Sequence, residues 1–142
     1  MSAEGNPMTE PDAALPLSLV ERIEVIEQAY ELMLAYAAQG RQNDADDSSS
    51  IRRFLQRADA ALDGLADCLR QSVAAQAEAY AEFVAVLEQD ARNTRAALRL
   101  VLAQKALSSQ LIDNLNASIH IRALLTDIFL IDESLKGGTD DA

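Results

Sequence analysis

Proline is scarce and badly distributed: Pro7, Pro11 and Pro16 are the only three in 142 residues, and all fall in the first 16. Glycine is scarce too, and between Gly64 and Gly137 the chain has neither glycine nor proline. A sandwich or barrel of short strands needs turn residues every 8–12 positions or so, so an all-β fold is excluded. Tryptophan is absent and aromatics make up only 4% of the chain. The lone cysteine, Cys68, cannot close an internal disulfide, so nothing in the cysteine usage marks an oxidising compartment. Cys68 and the single histidine, His120, are far apart in sequence and make no zinc set. A di-metal bundle would need Glu-x-x-His pairs, yet Ala117 stands three residues before His120. No metal and no cofactor is expected.

Long apolar runs are missing as well. None reaches the roughly 18 residues that a membrane-crossing helix requires, and the first residues lack the basic start and apolar stretch of a secretory signal. The expected location is the cytoplasm. Basic charge is in deficit, with 12 Lys and Arg against 23 Asp and Glu, a formal net charge of −11. Such a field repels phosphate backbones and anionic lipid surfaces, so neither nucleic acid nor membrane is an expected partner. No Gly-rich phosphate loop, nucleophile elbow or zinc-protease helix occurs, and the chain is read as no enzyme.

What remains is Ala, Leu, Ile and Val in quantity, a composition that favours helix. Residues 1–16 read as a flexible acidic arm, 17–136 as one helical domain and 137–142 as a disordered tail. In the first helix, predicted over 18–39, Ser18 and Glu21 form a capping box and Gly40 is the stop. Leu19, Ile23, Ile26, Tyr30, Met33 and Ala37 step by four and three, with a second seam at Val25, Ala29, Leu32 and Tyr36. Two seams imply two neighbours, hence a bundle. Glu21, Glu24, Glu27 and Glu31 fill the solvent side.

The polar stretch 41–50 is a loop, and Ser50, rivalled by Ser48 and Ser49, is a plausible cap for a second helix over 50–71. The rhythm slips by one residue after Leu69. A third helix is predicted over 73–113, with a possible split near Asn93, and a fourth over 117–135. The fold class is therefore all-α, an antiparallel bundle of about four helices.

Two groups of residues stand out as partner-binding candidates. Ile119, Phe129 and Leu130 are apolar on the side of the last helix away from Ile121, Leu124 and Ile128. Arg92, Arg95 and Arg99 recur at three and four along one stripe, able to pair within the bundle or to meet a partner's carboxylates. A last helix apolar on both sides is expected to be shared in a homodimer. The leading expectation is a non-catalytic protein-binding module: an adaptor, regulator or chaperone whose partner is another protein. One alternative is a phosphotransfer bundle with His120 as phosphoacceptor. Against it, His120 is read as a partly buried, hydrogen-bonded shoulder residue, and Leu124 is expected to crowd the approach. A second alternative is a bundle holding a small apolar ligand, with Tyr30, Tyr36, Tyr80 and Phe83 near the cavity.

Overall fold

The structure, a computed structural model, describes residues 17–46 and 50–140, the side chains of 138–140 excepted. The arm over 1–16, the rival caps Ser48 and Ser49 and the last two residues of the tail lie outside the described residues. Six α-helices follow one another, with no strand among the described residues: α1 (Leu19–Ala37), α2 (Ile51–Leu62), α3 (Leu65–Ser72), α4 (Ala77–Leu102), α5 (Ser109–Ala117) and α6 (Ile119–Asp140). A 3-10 turn, Ala74–Gln76, joins α3 to α4.

The start of α1 follows the local chemistry. Ser18 Oγ accepts from the Glu21 amide and Glu21 returns the bond to the Ser18 amide, closing the capping box. Past its end, Gly40 takes φ +66°, a left-handed conformation that suits glycine. Ser50 precedes α2 but its side chain makes no capping hydrogen bond.

The expected second and third helices are each divided, and six helices replace the predicted four among the described residues. The first division is at Gly64, whose φ of +88° turns the chain between α2 and α3. The apolar steps run straight across this turn, Leu62 to Leu65 to Leu69, so periodicity alone reads one helix. The second division lies at 103–108 rather than near Asn93, which sits inside an unbroken α4. At the other end, α6 runs past Leu135 through Gly137 to Asp140. Glycine weakens a helix by about 1 kcal/mol against alanine without stopping it.

Helix α1 packs on α2 and α5, α4 packs on α2, α3 and α6, and α6 packs on α4 and α5. Ile26, Ala29 and Met33 of α1 meet Leu55, Ala58 and Leu62 of α2, Leu98 of α4, and Ile121, Leu124 and Leu125 of α6 around a void of about 20 Å³. That is room for about one water, far below a ligand cavity of roughly 300 Å³ or more. Two arginines close helix ends from a distance. Arg22 on α1 donates to the carbonyls of Ala61 at 2.8 Å and Asp63 at 2.7 Å, at the end of α2. Arg52 on α2 donates to Leu102 at 2.9 Å and Gln104 at 3.0 Å, at the end of α4.

Candidate functional site on α4 and α6

Helix α6 turns Ile121, Leu124, Leu125, Ile128 and Ile131 into the core. On its far side Ile119, Ala123, Thr126 and Leu130 recur at four, three and four, so they share one stripe. Ile119 is 74% exposed and Leu130 56%. Beside the stripe, Ala79, Tyr80 and Phe83 of α4 and Leu130, Ile131 and Ser134 of α6 line a groove of about 460 Å³. Tyr80 and Ser134 share a hydrogen bond of 2.7 Å across it. A second hollow of about 570 Å³ lies toward the start of α6, along Ile119, Arg122, Ala123, Thr126 and Asp127.

Asp127 lies at the end of the second hollow and is only 5% exposed. Asp90 of α4 stands beside it, and two carboxyl groups can share a hydrogen bond only when one carries a proton. The Asp127 Oδ2 is buried without a partner. Burial above all, then the hydrogen bond and the charge of Asp90, push the Asp127 carboxyl up to about 7. One turn along α4, the buried Thr94 hydroxyl bridges the carbonyls of Asp90 at 2.8 Å and His120 at 3.1 Å, tying the first turn of α6 to α4.

The opposite edge of α6 is also acidic. Glu27 of α1 is half-buried and its carboxyl is held above its usual range, first by burial and then by Asp132 of α6, with Glu31 and Glu24 adding to it and Lys136 opposing. Among the described residues no ion pair joins α6 to another helix; its Lys136 pairs with its own Asp132 at 3.3 Å.

The residues proposed from sequence do not form one site. Ile119 and Leu130 share the outer stripe, but Phe129, 57% exposed, lies about 100° round the helix from Leu130. The arginines occupy the edge of α4 that faces α2 and α3. Arg95 binds Asp59 at 2.8 Å and Asp63 at 3.3 Å, Arg99 binds Asp59 at 3.3 Å, and Arg92 lies 3.6 Å from Glu88. Arg92 and Arg95 line a small cleft of about 200 Å³ with Asp63, Asp67 and Glu88. His120 is exposed rather than partly buried, and Leu124 turns into the core instead of crowding it. The four aromatics are scattered: Tyr36 is fully buried, Tyr30 borders the small core void, and Tyr80 and Phe83 line the outer groove. Cys68 is half-buried. Among the described residues no group of three or more His, Cys, Asp or Glu could hold a metal ion, and no helix is long and apolar enough to cross a membrane.

Asp127 is not among the candidate residues read from the sequence. The signal was there: an aspartate at the edge of an otherwise apolar arc, among Leu124, Ile128 and Ile131. Its partner Asp90 lies 37 positions away and carries no such mark. No protein-family model, curated protein or solved structure matches the chain.

Proposed function

We propose that this chain is a non-catalytic protein-binding module that works through the outer face of α4 and α6, and that the partner of this face is a second copy of the chain. The observation that carries the reading is the exposed stripe of Ile119, Ala123, Thr126 and Leu130, which is uncharged along its length in a protein of net charge −11. Contiguous exposed apolar surface of this kind marks interaction sites. Two copies of α6 packed antiparallel about a two-fold axis near Thr126 set Ala123 against Leu130, small against large. The same axis brings Arg122 near Glu133 of the second copy, because both lie on one flank of the stripe. At physiological salt the Debye length is about 8 Å, which screens the net repulsion between copies while leaving close pairs effective.

Sedimentation velocity tests this. The wild type should dimerise, Leu130→Glu should be monomeric with an unchanged helical spectrum, and Arg122→Glu should weaken association until Glu133→Arg restores it. A wild type that stays monomeric at its highest soluble concentration removes the second copy as partner.

The exposure of His120 favours one second reading, a phosphoacceptor on the first turn of α6. Acid-labile phosphate on the wild type and none on His120→Gln is the result that supports it; its absence from protein isolated from the native host rejects it.

A further inference from the structure

We infer that α6 is a proton-gated helix: the buried Asp127 carboxyl stands beside Asp90 where α6 meets α4, so docking of α6 on the bundle tightens when this pair holds a proton and loosens when it loses it. The geometry is one-sided. On the α4 edge, Asp127 is 95% buried, meets Asp90, and has an Oδ2 that no donor satisfies. On the α1 edge, burial first and then the like charge of Asp132 raise the Glu27 carboxyl. Elsewhere the bundle joins its helices with opposite charges, as Arg95 does between α4 and α2 and Arg70 does between α3 and α4 through Glu88 at 2.8 Å.

The cations nearest these groups lie at the surface: Arg122 is exposed on the rim of the hollow that Asp127 lines, and Lys136 is paired with Asp132 at 3.3 Å. The α6-facing edge of α4 carries Tyr80 and Asp90 as its ionisable groups, while Arg92, Arg95 and Arg99 point to the other edge and are paired with carboxylates. Helix α5, which also packs on α6, has one ionisable residue, Asp113, and it is exposed. On α6 itself, His120 lies two turns before Asp127 and is exposed. Around Glu27 stand Glu24 and Glu31 on its own helix, and Asp132 with Lys136 on α6.

The step is a simple ionisation. In the docked state one proton bridges Asp127 and Asp90, and the pair carries a single negative charge. When that proton passes to water the pair carries two, one of them in a site with no hydrogen-bond donor for Oδ2. Undocking hydrates both carboxylates, so the undocked state gains as pH rises. The position of the Asp127 carboxyl, pushed up to about 7, sets the upper end of the window, and its ordinary aqueous value sets the lower end.

Peptide-resolved amide hydrogen exchange on the full chain between pH 5 and pH 8.5 or so, corrected for the intrinsic exchange rate, reads the opening of α6 directly, with α2 as internal reference. The opening equilibrium of α6 should rise by up to about tenfold per pH unit toward pH 7 and level off above it. Helix α2 should show no such slope. Asp127→Asn should abolish the slope and leave α6 better protected than wild type at pH 8, since the amide donates to Asp90 without a shared proton. Asp90→Asn, at the more exposed member of the pair, provides the same test should the first variant not fold. Sedimentation in the same buffers reports self-association separately. Wild-type α6 opening that is flat with pH overturns the inference. So does a slope shared equally by α2, or one that survives in both variants.

Discussion

Tyr36, near the end of α1, donates its buried hydroxyl to the carbonyl of Leu107 at 2.6 Å, across 71 residues of sequence. The neighbouring Ser109 hydroxyl donates back to the Tyr36 carbonyl at 2.7 Å and accepts from the Arg41 amide at 2.8 Å. The segment between α4 and α5 is thus sewn to the end of α1 by buried hydrogen bonds. Tyr36→Phe keeps the ring and removes this donor, at an expected cost of about 1–3 kcal/mol. Urea unfolding should show a lower midpoint with an unchanged m-value; a midpoint equal to wild type would mean that the bond adds nothing.

The same segment depends on Arg52. Its guanidinium holds Asp44 at 3.0 Å and the last carbonyls of α4, while Asp44 also accepts from the Leu107 amide at 3.0 Å. Arg52→Leu strips the cap and leaves the partly buried Asp44 carboxylate without its cation, an expected loss of about 2–4 kcal/mol. The hydrogen bond from Arg52 is also the main cause of the lowered Asp44 carboxyl. Stability from a lowered carboxyl is present above its ordinary value and lost as pH falls through the folded one. In Arg52→Leu that acid-dependent loss should shrink, so the acid limb should become shallower. An acid limb as steep as that of the wild type would show that the two residues are uncoupled.

These two ties explain why the turn at 103–108 was hidden in the sequence. Turn signals are local, and this turn has no glycine, proline or asparagine; its geometry comes from Arg52, Asp44 and Tyr36, all at least 60 positions or so from Leu107 except Arg52, at about 55. Local chemistry was legible where it acts locally. The Ser18–Glu21 box, the Gly40 stop and the buried seam of Ile26 and Met33 all appear where the spacing put them. The Gly64 turn was not, because the heptad steps continue across it and the break depends on one backbone angle. The carboxyl pair was hidden for a third reason: pairing two like charges is a tertiary choice, and no propensity or periodicity encodes it.

The arginines of α4 differ in burial along one helix. Arg92 is 68% exposed and reaches Glu88 at 3.6 Å, whereas Arg95 is 24% exposed and holds two aspartates of the α2 end. Arg92→Ala should change stability by less than about 0.5 kcal/mol, as for a surface site. Arg95→Ala should cost about 1–3 kcal/mol, because Asp59 loses its closest partner. Thermal melts of the two variants side by side decide the matter, and equal shifts would mean that the Arg95 network is no stronger than a surface pair.

The two classes of carboxyl set a stability optimum on the acid side of neutral. Asp127 and Glu27 are raised, so the stability they supply is fully present below the ordinary carboxyl value and is lost as pH rises through the folded one, which for Asp127 is about 7. Asp44 and Glu88 are lowered by Arg52 and Arg70, so their contribution is present above the ordinary value and fades as pH falls below it. Self-repulsion of a chain with net charge −11 reinforces the alkaline loss. The melting temperature should peak at about pH 5 and fall toward pH 8, by about 3–5 °C for each kcal/mol lost in a domain of this size. Asp127→Asn should flatten the alkaline side while keeping the acid limb, and Arg52→Leu should make the acid limb shallower while keeping the alkaline slope. A single melting series over pH for the three proteins reads both halves at once, and a wild-type maximum at pH 8 would show that the Asp90–Asp127 contact carries no proton in the folded chain.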